Sequence, residues 1–595
     1  MIGLDLATLK NAYAQGVLTP SALMRRLAGN LDAYSDGAVW IHRRPAEELI
    51  AAGEALEAIA DGLQQLPLYG IPFAVKDNID VAGVLTTAGC PAFAYVPLET
   101  APVVLALLAA GAILVGKTNL DQFATGLNGT RSPYGAPRSV FNADFISGGS
   151  SSGSAVAVGA TLVSFALGTD TAGSGRVPAA FNNVVGLKPT KGLLSTRGVV
   201  PACRSIDCVS VFAHSVADAR TVAHIAGRFD TEDPFARPVR PVPLGLTPPR
   251  LGVPMHREFF GDDEYECLYD EAIARTERAG FAIETFDYAP LAEAAGLLYG
   301  GTLVAERYAA VGRFIETHES ETHDVVRALI AGGRDARAAD LFTDQHRLAA
   351  LKRDADALWQ HFDALLLPTA PTIYRVQEME RDPIKLNANL GYYTNFVNLL
   401  DCAAISVPSG FRSDGLPFGV TLVGPAFCDW DLAILADRVH QASGAGSGLA
   451  RTLSPPLVPS CGPDLIDIAV VGAHLTGEPL NHELTTRGAK FVRATKTAAD
   501  YKLYALANTI PPKPGLMREA AYSGAGIAVE IWRMTAEGFG AFTAGVPSPL
   551  AIGTVTLEDG AMVKGFVAEP AAFADARDIT AYGGWRAYRA ALLKS

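Results

Sequence analysis

The chain has 595 residues, 49% of them hydrophobic, and a net charge of −13 at neutral pH, which allows two or three domains with a large apolar core. The acidic balance argues against a nucleic-acid binder, which would carry a basic face, and favours a small-molecule substrate. Seven scattered cysteines without a CxxC pair argue against a disulfide framework or a metal module and point to a reducing cytoplasm.

No basic region followed by an apolar run opens the sequence, so no signal peptide is expected. The longest apolar runs, 101–116 and 155–168, fall short of the roughly 18–20 residues of a membrane span. Leucines and alanines recur at helical spacing over 4–30, with Thr19-Pro20-Ser21 as a helix start, and a second helix is expected over 45–63. The run 71–75 reads as a buried strand ending at Lys76; a lone lysine there is ordinarily a solvated surface residue. Gly111 to Thr118 matches GxxxxGK[ST], but a phosphate loop needs its strand before the first glycine, and here the residues between the glycines are the strand-like run.

The most informative stretch is 148–180, GGSSSGSAVAVGATLVSFALGTDTAGSGRVPAA. Two glycine and serine clusters flank the apolar segment 155–167, which a flexible linker would not do. Glycines let the backbone approach a ligand with its N–H groups free, and serines supply hydroxyls. Gly149 to Gly153 also fits GxSxG, the nucleophile elbow of α/β-hydrolases, which would make Ser151 the nucleophile.

Alternating helical and strand-like segments continue to about residue 236, as in an α/β core. A proline-rich passage at 238–249 marks an excursion or hinge before a strand at 251–253. Residues 291–351 read as helical and alanine-rich, and one helix would set Tyr299 and Arg307 about two turns apart on one face. Segments at 365–371, 394–409 and 415–420 look like closing strands and a helix, which carries the core to about residue 449. The composition of 454–463 is that of a proline-rich linker. Short strands at 465–471, 526–532, 550–557 and 562–567 then suggest a small β-rich α+β domain. In it His474, after a strand and a glycine turn, is an acid/base candidate as well as a structural histidine; Glu530 is a second candidate and His482 a weaker one.

The paired clusters, Gly149 to Ala155 and Gly168 to Ala179, resemble the signature of the amidase signature family. Gly70 to Asp77, Asp121 to Gly126 and Gly186 to Thr190 are similar to further segments of it. The resemblance implies an α/β fold with a mixed central sheet flanked by helices over 1–453, a linker at 454–464, and a C-terminal domain over 465–595 similar to γ-glutamylcyclotransferase-like folds. It implies a Ser–cisSer–Lys triad of Ser174 as nucleophile, Ser150 as bridging serine and Lys76 as base, an oxyanion hole from the N–H groups of Thr171, Ala172, Gly173 and Ser174, a substrate contact at Gly126, and neither metal nor cofactor.

Residues 299–308 and the run VVGAHLTGEPLNHELTTRGA resemble the allophanate hydrolases within that family. This second resemblance implies that Tyr299 and Arg307 hold allophanate (urea-1-carboxylate), that the first domain releases ammonia, and that the second, with His474, promotes decarboxylation of N-carboxycarbamate. It further implies urea carboxylase as the upstream functional partner, while the long helices near residues 291–351 and the appended domain suggest a homodimer. Alternatives are an amidase of another small amide, one component of a tRNA-dependent amidotransferase, and a non-catalytic binding protein.

Overall fold

The apolar runs between residues 40 and 425 form one eleven-stranded mixed sheet in the computed structural model. Its strands are β1 (Trp40–Arg43), β2 (Pro72–Lys76), β3 (Ile113–Thr118), β4 (Phe165–Asp170), β5 (Val185–Lys188), β6 (Cys208–Ala213), β7 (Arg250–Pro254), β8 (Ala282–Phe286), β9 (Ala364–Pro368), β10 (Cys402–Phe411) and β11 (Pro417–Pro425). Their order is β1-β3-β2-β4-β6-β5-β10-β11-β9-β7-β8. Residues 3–59, 65–239, 242–244, 248–457, 465–507 and 509–592 are described. The helix expected over 45–63 runs Ala46–Glu57, and residues 60–63 lie outside the described ones, as do 458–464 of the expected linker and 240–241 and 245–247 of the proline-rich passage.

The chain divides into two compact units, Met1–Val239 with Arg250–Val458, and Arg240–Pro249 with Pro459–Ser595. In the first, β3, β2 and β4 run parallel as immediate neighbours, so their carboxyl ends share one edge of the sheet. In parallel sheets that edge is where ligands bind, because the strand-to-helix turns gather there. Lys76 ends β2, Thr118 ends β3 and Asp170 ends β4. The helix Ser152–Gly159, all eight of its residues buried, enters from the first glycine and serine cluster.

The GxxxxGK[ST] match resolves as expected from context. β3 occupies most of the span between its glycines, and Lys117 is buried against Asp77, Nζ to Oδ1 3.1 Å, both side chains without exposure. Lys117 also donates to Thr86 Oγ1 at 2.7 Å. The lysine is a structural ion-pair partner.

The second unit holds a five-stranded sheet, ordered β13 (Lys490–Lys496), β16 (Ala528–Thr535), β12 (Leu465–Val470), β18 (Met562–Ala568), β17 (Leu550–Thr556), and a smaller sheet of β15 (Pro514–Arg518), β14 (Tyr501–Ala505) and β19 (Arg577–Asp578). The four strands expected from sequence are β12, β16, β17 and β18. β13 escaped notice because it is an edge strand, half-exposed and lysine-flanked, with little apolar run to read.

Replacing Lys117 by Met strands the buried Asp77 carboxylate and is expected to cost about 3–5 kcal/mol of stability, read as a lowered urea midpoint. An unchanged midpoint would mean that the bonds from Thr87 to Asp77 suffice without the lysine.

Candidate active site

Lys76 is fully buried. Its Nζ donates to Ser150 Oγ at 2.8 Å and to Thr169 Oγ1 at 2.7 Å. Burial pushes the ammonium pKa down to about 7, against the pull of Asp121, Asp207 and Asp170, because a charge removed from water without a contact partner is disfavoured. No carboxylate among the described residues forms an ion pair with it. A strand-terminal lysine that looks like a surface residue in sequence is therefore buried and able to lose its proton near neutrality.

Ser150 follows a cis peptide bond from Gly149. A Cβ on Gly149 would lie 2.2 Å from Asp121 Oδ2 and 2.6 Å from the Gly129 nitrogen, so only glycine fits where the serine loop meets the 121–131 loop. Ser151 Oγ, the alternative nucleophile, donates to the Thr169 carbonyl at 3.0 Å and accepts from the Thr169 N–H at 3.3 Å. It fastens the loop to β4.

Ser174 lies in the turn after β4, its Oγ donating to the Gly126 carbonyl at 3.5 Å. No hydrogen bond among the described residues joins it to Ser150. The turn is shaped by Asp170, whose carboxylate receives a two-point bond from the Arg176 guanidinium, Nε to Oδ2 and Nη2 to Oδ1 both 2.9 Å, with both side chains fully buried. Burial would raise this carboxyl, but the charge and hydrogen bonds of Arg176, with help from Lys188 and the Gly175 N–H, hold it below the ordinary aspartate value.

The same carboxylate accepts the N–H groups of Gly173 at 2.9 Å and Gly175 at 3.0 Å. This corrects the expected oxyanion hole: the Gly173 N–H is already taken. Thr171, Ala172 and Ser174 are the residues of the turn whose N–H groups have no protein acceptor among the described residues. Gly173 is required for its backbone, at φ +136°, with Thr394 Oγ1 2.4 Å from any added Cβ.

Thr171 Oγ1 donates to Asp207 at 2.5 Å, and the N–H groups of Ala202 and Cys203 also donate to that carboxylate. Burial raises the Asp207 pKa to about 6.

The far side of the site is lined by Tyr299 and Arg307. They do not share one helix: the helix Ala289–Gly300 ends, and Val304–Thr317 begins anew after a break. The chain turns at this break and still brings Arg307 Nη2 to 3.1 Å from Tyr299 Oη, while Nη1 donates to Thr125 Oγ1 at 3.0 Å. Arg307 is 1% exposed, its Nε has no partner, and no carboxylate among the described residues pairs with it. Burial opposes its charge, but Cys203, Tyr299, Asp207 and Glu306 outweigh that and raise its pKa.

In the second unit His474 Nε2 lies 3.1 Å from Glu483 Oε2. Its ring stacks on Phe566 at 5.1 Å. Burial lowers its pKa despite Glu483, which favours the neutral imidazole. It lines a small pocket with Val471, Lys513, Pro514, Leu550 and Phe566. Glu530, by contrast, is consumed structurally, accepting the N–H of Thr476 at 2.8 Å and a charged bond from Arg586 at 2.8 Å. His482 is bonded through Nδ1 to the Pro479 carbonyl at 2.9 Å.

A family model described as Amidase matches residues 23–432. The chain belongs to the amidase family. A model described as Allophanate hydrolase C-terminal domain matches residues 466–590. The urea amidolyase of Lachancea kluyveri is 44% identical over 587 residues, which cover 96% of this chain and 32% of that protein; the chain thus spans about a third of that curated relative. The urea amidolyase of Saccharomyces cerevisiae is 42% identical over 589 residues, 95% of this chain and again 32% of that protein. The solved allophanate hydrolase of Kluyveromyces lactis is 40% identical with a TM-score of 0.78, and the match covers 99% of both chains.

Three groups of this amidase site were invisible to sequence reasoning. Thr169 holds the lysine, Asp207 holds Thr171, and Asn398 donates to the Asp170 carbonyl at 2.7 Å. Each is a common polar residue whose partner lies 36 to 228 positions away. Asp170→Asn leaves Arg176 buried without its counter-charge and is expected to lower stability by about 3–5 kcal/mol, seen as a reduced denaturation midpoint. An unchanged midpoint would show that the Thr394 carbonyl, which also accepts from Arg176, is enough.

Proposed function

We propose that the first unit hydrolyses the terminal amide of allophanate through a Ser174 acyl-enzyme, and that the second promotes decarboxylation of the N-carboxycarbamate so formed. The observation that carries the reading is the pairing, in one unit, of a buried Lys76 on Ser150 with a buried Arg307 that has no carboxylate partner among the described residues. The first suits amide cleavage. The second calls for an anionic substrate, since an arginine fork binds a carboxylate with two parallel bonds.

Neutral Lys76 takes the Ser150 proton while Ser150 takes that of Ser174, whose hydroxyl leaves the Gly126 carbonyl to do so. Ser174 Oγ forms a bond to the amide carbon, and the carbonyl oxygen gathers negative charge opposite the N–H groups of Thr171, Ala172 and Ser174. Such preorganised donors are worth about 10²–10³ in rate each. The proton returns through Ser150 to the leaving nitrogen, ammonia departs, and water attacks the acyl-enzyme by the same route reversed. Arg307 and Tyr299 hold the substrate carboxylate. The pocket beside His474 takes the product, where a neutral imidazole can accept or deliver the proton moved when CO₂ leaves and the second ammonia is freed.

The name of the urea amidolyase relatives supports a place beside a urea carboxylase that supplies the substrate. The proposal includes a homodimer acting in the cytoplasm. The helix Ala338–Leu358 buries only Leu351 and Ala355 while Phe342 stays exposed, and the six free cysteines among the described residues fit a reducing compartment.

Ser174→Ala is expected to abolish ammonia release from allophanate. His474→Ala should keep the first ammonia while the yield falls toward half; full yield at wild-type rate would remove His474 from the second step. Because the free lysine is the base, activity should rise with pH through an inflection near 7, and this inflection should vanish in the residual activity of Lys76→Met. A flat profile from pH 6 to 8 would overturn the assignment of Lys76 as base.

A further inference from the structure

Beyond Tyr299 and Arg307, a second arginine stands at the same end of the site. Arg131 is 1% exposed. Its Nη1 donates to the Thr125 carbonyl at 3.0 Å and its Nη2 to the Pro383 carbonyl at 2.5 Å, while its Nε has no partner. Thr125 is therefore gripped twice, by Arg131 through its carbonyl and by Arg307 through its hydroxyl. The next residue, Gly126, accepts from Ser174.

The loop between is tightly tied. Asp121 accepts the N–H groups of Gly129 and Arg131 at 3.0 and 2.9 Å, and Phe123 and Ala124 both sit at φ +52°. Two adjacent non-glycine residues in the left-handed region persist only where their surroundings hold them. The two guanidinium groups feel one another. Burial presses the Arg131 pKa down; Asp121 and then Tyr299 oppose it, and Arg307 adds last to the lowering. No carboxylate among the described residues pairs with either cation. Burying two unpaired like charges around one threonine is costly unless an anion arrives to share them.

We propose that Arg131 is a specificity-determining residue of the amidase site: with Arg307 it forms a two-cation pocket that selects amides carrying a carboxylate, acting through its charge and through its hold on Thr125. This deepens the reading of the site as one for an anionic amide and rests on it. A lone arginine could dock a neutral polar group as well as a carboxylate; the second charge penalises the neutral competitor's failure to compensate it.

The test compares kcat/KM for allophanate with that for biuret, in which an amide replaces the carboxylate, in the full-length wild type, Arg131→Met, Arg131→Lys and Arg307→Met. The ratio for the anionic over the neutral amide should fall about tenfold or more in Arg131→Met, chiefly through KM, as expected for loss of a buried charge near the ligand. It should recover in Arg131→Lys, which keeps the charge but not the fork. Parallel loss on both substrates, or an unchanged ratio, would make Arg131 a structural brace and overturn the inference. Thermal stabilisation by malonate supplies a binding readout should turnover of Arg131→Met be too slow, and its retention at wild-type strength would equally overturn it. Collapse of the ratio in Arg307→Met alone would sink the inference and leave the reading of the site standing. If wild type fails on allophanate, the substrate reading falls, and the same ratio taken between malonamate and malonamide decides the role of Arg131 by itself.

Discussion

The site depends on a lysine that has been denied a counter-ion. Lys76 ends β2 and Lys117 is the last residue but one of the neighbouring parallel strand β3, both without exposure, yet they serve opposite ends. Lys117 meets Asp77 at 3.1 Å. Lys76 meets only hydroxyls, those of Ser150 and Thr169. Desolvation without a contact ion pair is what brings its pKa to about 7, and the three aspartates that act on it from further off are each engaged elsewhere. Asp170 is engaged by Arg176, Asp121 by backbone N–H groups, and Asp207 by Thr171 and the 202–203 backbone. Their partners keep them from collapsing onto the lysine.

The same economy governs the turn after β4. Arg176 and Asp170 form a fully buried two-point pair, and buried ion pairs add little net stability by themselves. Their use here is geometric: the carboxylate draws in the N–H groups of Gly173 and Gly175, while those of Thr171, Ala172 and Ser174 have no protein acceptor among the described residues. A backbone so held needs little reorganisation when charge develops, which is the condition under which dipoles stabilise an oxyanion best. At the far end Arg307 and Arg131 are buried without a carboxylate partner among the described residues, so on the proposed reading the site is neutral at the bond to be broken and cationic where the substrate is held.

In the second unit a similar division separates two candidates that look alike in sequence. Glu530 lies inside β16 and His474 in the turn after β12, and both are acid/base side chains of the same small domain. Glu530 is saturated by Thr476, Trp532 and Arg586, while His474 keeps one ring nitrogen against Glu483 and borders a pocket. Counting hydrogen-bond partners distinguishes a brace from a group able to exchange a proton.

Much was already set by local sequence. The apolar runs dictated β2, β4, β9, β11 and β12, Thr19-Pro20 opened a capped helix with Thr19 Oγ1 accepting from the Ala22 N–H, and the glycines at 149 and 173 stand where backbone or side-chain atoms leave no room for a Cβ. Lys76, Ser150, Ser174, Tyr299 and Arg307 stood out as candidates because long motifs and a resemblance carried them. What the sequence could not determine is which polar groups are free. The Gly173 N–H, Ser151 and Glu530 were plausible participants by position and are spent on structure; Thr169, Asp207 and Arg131 had no role marked by any motif and surround the site. Whether a buried donor or acceptor is available depends on partners tens or hundreds of residues away, and only the folded chain brings those partners within the roughly three ångströms over which a hydrogen bond acts.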